Sequence, residues 1–452
     1  MKQPWAMSLL RRSNVFNYTP PLCFVVAGSE HGWRRTLRME GTIVKPVFIT
    51  DHHLQEGQYS LIHIPLPLYA ALLQPILRVL LPHGGSTHLE PEGHIEGITA
   101  DNKHSFLNIS ITPIECSIVC HSSWAKNIFA PVINALPEES RAQVSISKDS
   151  YNVFSVCSAG MEAGQRVMDL TAPLAMAGIP IFFITTYYTD FILVPAKDRH
   201  TVGQALLARG FEFSENDSAY VAPTFSHSRP TSAATSEPPS TPPPSNVAEL
   251  QIRTFSQLRK RNVVPFVEQS LQLVQCAGKE LHHEDEYSGP QSNGNGSYHP
   301  STASWLDNID PKLYVGLISA LAQRPRFLSV TLTEEDAPSL LIDKSLLWLF
   351  GDSIAGDTDA FLVPIFLDLV NLPLESTGIV CGVAGKLVDE MRFGESSTHA
   401  AELSYLSTAR AGAVILSPEG SAMALGALGP LLEVVESSDA QSVSAPQHVS
   451  ST

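Results

Sequence analysis

The side chains best suited to catalysis or metal binding near neutral pH are the sixteen histidines of this chain. None of them has an i, i+4 partner and a nearby acid on a helical segment, as a zinc hydrolase requires. The sequence also lacks a phosphate-binding glycine loop and a GxSxG serine elbow. Half of the histidines lie in two regions: His52-His53, His63, His83, His88 and His94, and His282-His283 before Glu284-Asp-Glu286. The pattern therefore predicts a protein that is not an enzyme and has no cofactor or metal.

The cysteines point to the same conclusion. Six are present, and Cys116 and Cys120 share the parity of one strand face. No second pair with metal-ligand spacing accompanies them. We expect buried, reduced cysteines in a cytoplasmic protein.

A predicted β-hairpin carries the polar groups Thr185, Thr186 and Asp190 at its tip. The flanking segments of 179–194 are apolar and rich in β-branched and aromatic residues, as buried strands are. The polar groups at the tip either face a ligand or, as turn chemistry alone explains, face solvent or pair across the strands. We favour the second interpretation.

The elements around this hairpin position it within a small fold. A helical pattern at 162–177 ends at Gly178, and a second pattern from Lys197 ends at Gly210. A strand at 151–156 precedes both. The order strand, helix, strand, strand, helix predicts an α+β module of the ferredoxin-like βαββαβ type.

The same pattern occurs again further along the chain. Strand segments at 105–115 and 326–336 share their shape and lie about 220 residues apart. A strand at 366–370, a helix at 377–388, a hairpin at 401–418 and a helix at 419–432 repeat the later module. We infer two related halves, each with two modules.

Composition sets the predicted boundaries. Segment 226–245 is rich in Ser, Thr and Pro and lacks the apolar residues needed to form a core. The prediction comprises five parts: a poorly ordered N-terminal extension at 1–55, an N-terminal half at 56–215, a mostly disordered linker at 216–305 with a helix near 247–275, a C-terminal half at 306–436 and a disordered tail at 437–452.

The net charge of −16 argues against a nucleic-acid partner, because phosphate groups require a basic surface. The most apolar window, 66–81, is interrupted by prolines and an arginine and is shorter than a membrane span. No secretory signal pattern is present at the N-terminus. We expect a cytoplasmic protein without a membrane partner.

Residues 184–194 (ITTYYTDFILV) closely resemble the signature of the CASTOR-type ACT-domain family. Members of that family are cytosolic arginine sensors that act upstream of the TOR kinase complex through GATOR. Segments 376–380, 406–408 and 415–419 are similar to the matching C-terminal module. The resemblance covers roughly 59–213 and 310–433.

The resemblance implies four ACT modules that bind an amino acid between two of them and signal to a protein partner, with a homodimer as a further expectation. The ligand would lie where the hairpin strand of the N-terminal half meets a loop and hairpin of the C-terminal half. Backbone N–H groups of that loop would hold the ligand carboxylate. On this basis the expected site residues are Ile181, Glu375, Ser376, Thr377, Gly378 and Thr408.

Two positions differ from the family pattern. A serine contact of the family falls on Pro180, and the acid that holds the guanidinium falls on Gly412 or Ala413. A guanidinium without a carboxylate partner is poorly satisfied, so the sequence argues against arginine. Two alternatives to a sensor remain: an adaptor that has lost its ligand, and a regulatory subunit of an amino-acid biosynthetic enzyme.

Overall fold

The computed structural model describes residues 48–51, 58–81, 106–157, 163–213, 244–279, 310–333, 336–393 and 403–432. All of them belong to one compact unit, 46–452. The predicted tail at 437–452 lies outside the described residues, as do most of the N-terminal extension and segment 214–243 of the predicted linker.

The strands, in chain order, are β1 Phe48–Asp51, β2 Tyr59–Pro65, β3 Phe106–Ile111, β4 Glu115–His121, β5 Ser145–Ile146, β6 Tyr151–Cys157, β7 Phe182–Thr185, β8 Asp190–Pro195, β9 Glu212–Phe213, β10 Pro265–Phe266, β11 Leu273–Gly278, β12 Leu328–Thr333, β13 Ser339–Asp343, β14 Ile354–Ala355, β15 Val363–Asp368, β16 Ser404–Ser407 and β17 Ala411–Leu416. The α-helices are α1 Tyr69–Leu80, α2 Ser122–Trp124, α3 Ala130–Asn134, α4 Glu138–Arg141, α5 Ala163–Met176, α6 Arg199–Leu207, α7 Val247–Lys260, α8 Pro311–Ala322, α9 Ile379–Phe393 and α10 Pro418–Leu432. Shorter helical turns occupy Leu66–Leu68, Ala125–Phe129, Ala196–Asp198 and Lys344–Leu349.

These elements form four βαββ-based modules. Module 1 contains β2, α1, β3 and β4, and module 2 contains β6, α5, β7, β8 and α6. Module 3 contains β11, α8, β12 and β13, and module 4 contains β15, α9, β16, β17 and α10. The predicted α+β class of tandem modules in two related halves is confirmed.

Modules pair across the two halves of the chain rather than within them. The strands form one continuous hydrogen-bonded sheet, and we call its part in modules 1 and 3 the first sheet and its part in modules 2 and 4 the second sheet. In the first sheet β3 of module 1 runs antiparallel to β12 of module 3. In the second sheet β7 of module 2 meets β16 of module 4, with Ile184 opposite Leu406. The site between modules 2 and 4 is therefore built from residues of both halves.

Three apolar layers hold this arrangement together. One core packs α1 and α8 against the first sheet, and a second packs α5, α9 and α10 against the second sheet. A third core, with Tyr59, Phe106 and Phe366 among its buried side chains, unites strands of all four modules. Residues of one strand alternate between cores, as Phe106 and Leu107 do, because successive side chains point to opposite faces.

The predicted helix ends at Gly178 and Gly210 are confirmed. Both glycines have the positive φ of a left-handed cap, +72° and +86°. Cys116, Cys120, Cys276 and Cys381 are buried and free of disulfides. None of the helices in the described part of the chain is long and apolar enough to cross a membrane.

Two predicted boundaries require correction. Strand β11 begins module 3 inside the range assigned to the linker, and β1 lies inside the range assigned to the N-terminal extension. Sequence reasoning missed β11 because 273–278 (LVQCAG) is short and interrupted by Gln275, whose side chain is only partly buried. Helix α7 forms within the stretch where a helix was expected, and its N-cap Asn246 accepts a hydrogen bond from the N–H of Glu249.

Candidate functional site

A pocket lies between modules 2 and 4. It is an open cleft, and the atom-free space of about 570 Å³ within it includes open solvent. Its floor comes from β7 and β16, one side from α5, and its cover from the loop 369–378 and the first turn of α9. The lining residues are mainly apolar: Thr171, Ala175, Ile181, Phe182, Leu369, Leu372, Pro373, Leu374, Ser376, Gly378, Ile379, Val380, Cys381, Tyr405, Ser407, Thr408, Ala409 and Ala411.

Helix α7 fixes the loop that covers the pocket. Gly378 has a φ of +80°, a conformation that favours glycine, and a Cβ there would lie 2.8 Å from Leu250 of α7. Thr254 of the same helix donates a hydrogen bond to the carbonyl of Gly378 over 3.3 Å. The side chain of Gln257 donates to the hydroxyl of Ser376. The loop is thus held at both its backbone and its side chains.

The first turn of α9 borders this space. Ile379, Val380 and Cys381 line the pocket directly after Gly378. N–H groups in the first turn of an α-helix have no acceptor within the helix, and the helix dipole favours a negative charge there. The turn is therefore suited to a carboxylate ligand.

The floor of the pocket is joined by two reciprocal hydrogen bonds. The backbone N–H of Phe183 donates to the hydroxyl of Ser407, and that of Tyr405 donates to the hydroxyl of Thr185, both over 3.0 Å. Each hydroxyl belongs to the other module. These two hydrogen bonds therefore join modules 2 and 4 directly beside the pocket.

One buried polar group of a lining residue lacks a partner. The side chain of Tyr405 is 1% exposed and lines the pocket, yet its hydroxyl makes no hydrogen bond with any described residue. Burial raises the pKa of Tyr405, so the phenol stays protonated at neutral pH. An unsatisfied buried hydroxyl is unusual in folded proteins and requires an explanation.

The turn that closes the β16–β17 hairpin is held by module 1. Glu115 is fully buried and accepts hydrogen bonds from the hydroxyl of Thr408, over 2.6 Å, and from the N–H of Arg410. Its other carboxylate oxygen pairs with Nδ1 of His63. Because Thr408 lines the pocket, this buried carboxylate links the pocket to the other sheet.

Four of the six residues expected from the resemblance line the pocket and two do not. Those in the lining are Ile181, Ser376, Gly378 and Thr408, while Glu375 and Thr377 fall outside it. Their role toward a ligand stays a prediction. Glu375 is exposed in the same loop.

At the hairpin tip of module 2, Asp190 pairs across the strands with Thr185, one of the two arrangements that the favoured interpretation allowed. It is 1% exposed and so does not face solvent. Arg166 on α5 forms an ion pair with its Oδ2, and Oδ1 has no partner in the described residues. Burial raises the pKa of Asp190 against the opposing effect of Arg166.

No described part of the chain gathers three or more potential metal ligands. The only histidine of the predicted clusters that lies within the described residues is His63, which pairs with Glu115. The remaining histidines of those clusters lie outside the described residues.

One part of the chain matches a known protein-family model. Residues 146–208, which span module 2, match the model described as the ACT domain. The chain contains an ACT domain. No curated protein matches the chain.

Several solved structures are similar to this ACT-containing chain at low identity. Aspartate kinase from Synechocystis is 12% identical with a TM-score of 0.27; the match covers 89% of this chain and 58% of the kinase, so the chain spans little more than half of that enzyme. A putative C-terminal regulatory domain of aspartate kinase from Porphyromonas gingivalis is 14% identical, with a TM-score of 0.22, 37% of this chain and 99% of that domain covered. A protein from Agrobacterium tumefaciens is 17% identical, with a TM-score of 0.22, 38% of this chain and 93% of that protein covered.

Sequence reasoning missed three groups at this site: the hydroxyl of Tyr405, the carboxylate of Glu115, and the contacts of α7 with Gly378. An alignment of the two hairpins would have matched Tyr405 with Phe183, because both residues follow the same strand register. No sequence signal identifies Glu115, since its partners in the hairpin turn, Thr408 and Arg410, lie almost 300 residues away.

Proposed function

We propose that this protein is a non-enzymatic regulator that binds a free amino acid between modules 2 and 4. The observation that carries the proposal is the first turn of α9, whose residues 379–381 line a pocket shared by two modules. An α-carboxylate would accept hydrogen bonds from these N–H groups. The apolar walls, such as Leu369 and Leu372, would surround the side chain.

Binding at this place has a regulatory consequence. A ligand that contacts Ile181 of module 2 and Val380 of module 4 favours the arrangement in which both modules close on it. The coupling reaches a protein partner if that partner binds one arrangement better than the other. This supports a sensor rather than an enzyme.

The finer part of the proposal is a cytoplasmic signalling role of the CASTOR type in the TOR pathway. It is supported by the resemblance of the 184–194 motif, which begins within β7, the strand that contributes Phe182 to the pocket lining. Arginine is not the ligand we propose, because none of the described lining residues is an aspartate or glutamate. A protein partner and a homodimer belong to this part of the proposal.

Thermal unfolding in the presence of each of the twenty amino acids, at millimolar concentration, tests the proposal. Each amino acid is paired with its α-carboxamide, which lacks the negative charge. We expect at least one amino acid to raise the unfolding temperature by a few degrees, as about 2.7 kcal/mol of binding linkage does, and its amide to have no effect.

Two results would contradict this expectation. Equal stabilisation by an amino acid and its amide would exclude carboxylate recognition by α9. No stabilisation by any amino acid would favour the adaptor. Co-purification with a biosynthetic enzyme would favour the regulatory subunit instead.

A further inference from the structure

The unpartnered hydroxyl of Tyr405 distinguishes module 4 from its counterpart. In module 2 the same place in the hairpin is occupied by Phe183, which pairs with Ile192 as Tyr405 pairs with Val414. Phe183 is fully buried in the same apolar core. The fold therefore does not require a hydroxyl at this position.

The two hairpins differ at a second position as well. The turns of the two hairpins have the same hydrogen bonds, from Thr186 to Thr189 and from Thr408 to Ala411. When the two hairpins are aligned on these turns, Gly412 is the counterpart of Asp190. Module 4 thus has a phenol and no carboxylate where module 2 has a carboxylate and no phenol.

The tyrosine at 405 and the glycine at 412 depend on each other. A Cβ at position 412 would lie 2.9 Å from the hydroxyl of Tyr405. A side chain there would displace the phenol, so glycine at 412 is what allows the hydroxyl to occupy its place. The backbone of Gly412 is in a strand, where glycine weakens the sheet unless it leaves room for another group.

We infer that Tyr405 and Gly412 select an amino acid whose side chain is uncharged and ends in a hydrogen-bond acceptor, such as an amide or hydroxyl oxygen. This rests on the proposed function and names the ligand class of the same pocket. The protonated phenol donates to such an oxygen. A cationic side chain finds no counter-charge, since none of the described lining residues carries a charge.

The size of the effect follows from the cost of an unpaired donor. A buried hydroxyl without a partner destabilises the fold, and a hydrogen bond to the ligand oxygen would recover part of that cost. The preference for a polar ligand over an apolar one of equal size should therefore be about tenfold. The apolar contacts remain the same in both cases.

Calorimetric titration with near-isosteric pairs tests the inference: threonine against valine, and asparagine against leucine. We expect the wild-type protein to bind the polar member of at least one pair about tenfold more tightly. In Tyr405→Phe that preference should disappear while the apolar member still binds. Tyr69→Phe is the matched control, because its hydroxyl donates to the carbonyl of Leu321, remote from the pocket.

A double variant, Gly412→Asp with Tyr405→Phe, gives module 4 the residues of module 2 and should shift the preference to arginine or lysine. Folding is checked by urea unfolding, in which Tyr405→Phe should be at least as stable as the wild-type protein. Retention of the polar preference in Tyr405→Phe, or tighter binding of arginine than of any neutral amino acid by the wild-type protein, would overturn the inference alone. Absence of binding by every amino acid would overturn both the inference and the proposed function.

Discussion

At the scale of single residues, two buried side-chain oxygens have no hydrogen-bond partner in the described residues, and our proposals rest on one of them. One is the hydroxyl of Tyr405 and the other is Oδ1 of Asp190. They lie at neighbouring, not identical, places of the two related hairpins. In module 2 Arg166 forms an ion pair with Asp190, whereas in module 4 the neutral hydroxyl of Tyr405 makes no hydrogen bond with any described residue.

The buried carboxylate of Asp190 predicts a pH effect on stability. The pKa of Asp190 is raised in the folded state above the ordinary aspartate value of 3.8. The protonated carboxyl therefore contributes its full stability below about pH 3.8, and this contribution is lost as the pH rises through the raised pKa. As the pH rises above the ordinary pKa of aspartate, the wild-type protein should therefore lose stability relative to Asp190→Asn. Urea unfolding across this range measures the difference.

Asp169→Asn, a substitution of an exposed carboxylate on α5, serves as the control for loss of a surface charge. A wild-type protein that gains stability over Asp190→Asn with rising pH would show that Arg166 outweighs burial.

The resemblance brought the residues of the covering loop to notice, but burial of Asp190 was not predictable. Its ion-pair partner lies 24 residues earlier on another element.

At the scale of elements, the pocket depends on a turn held from a distance. The turn 408–411 completes one wall, and Glu115 at the start of β4 fixes it. A related contact exists on the other side, where the N–H of Tyr187 donates to Ser339 just as the N–H of Ala409 donates to Ser117. Each hairpin tip therefore rests on the first sheet.

Replacing Glu115 with glutamine should lower the free energy of unfolding by about 2 kcal/mol, because hydrogen bonds to a buried charge are lost or become neutral. It should also weaken amino-acid binding, since the turn that includes Thr408 loses its support. Urea unfolding and calorimetry measure the two effects. Glu138→Gln, at an exposed position, should change stability by no more than about 0.5 kcal/mol.

An unchanged affinity in a destabilised Glu115→Gln protein would show that the turn supports the fold and not the pocket. Elements themselves were largely predictable, because helices such as Pro311–Ala322 have clear start and stop signals. The packing of α7 on the covering loop was not, since contacts between Thr254 and Gly378 join segments 124 residues apart.

At the scale of the whole molecule, the two halves of the chain are interdependent. Strand β3 pairs with β12 and β7 with β16, so each sheet contains one module from each half. The repeat was predictable from its spacing of about 220 residues, but this exchange of partners was not. Hydrophobic periodicity identifies a strand and its buried face, and it does not specify which distant edge the strand joins.

Hydrogen–deuterium exchange, with and without the amino acid that stabilises the protein most, tests the central claim most directly. Binding between the halves should slow exchange simultaneously at 182–185 in module 2 and at 379–382 in module 4, because both segments line the same pocket or adjoin it. Protection confined to modules 1 and 3, or no protection in either segment, would contradict an amino-acid site between modules 2 and 4.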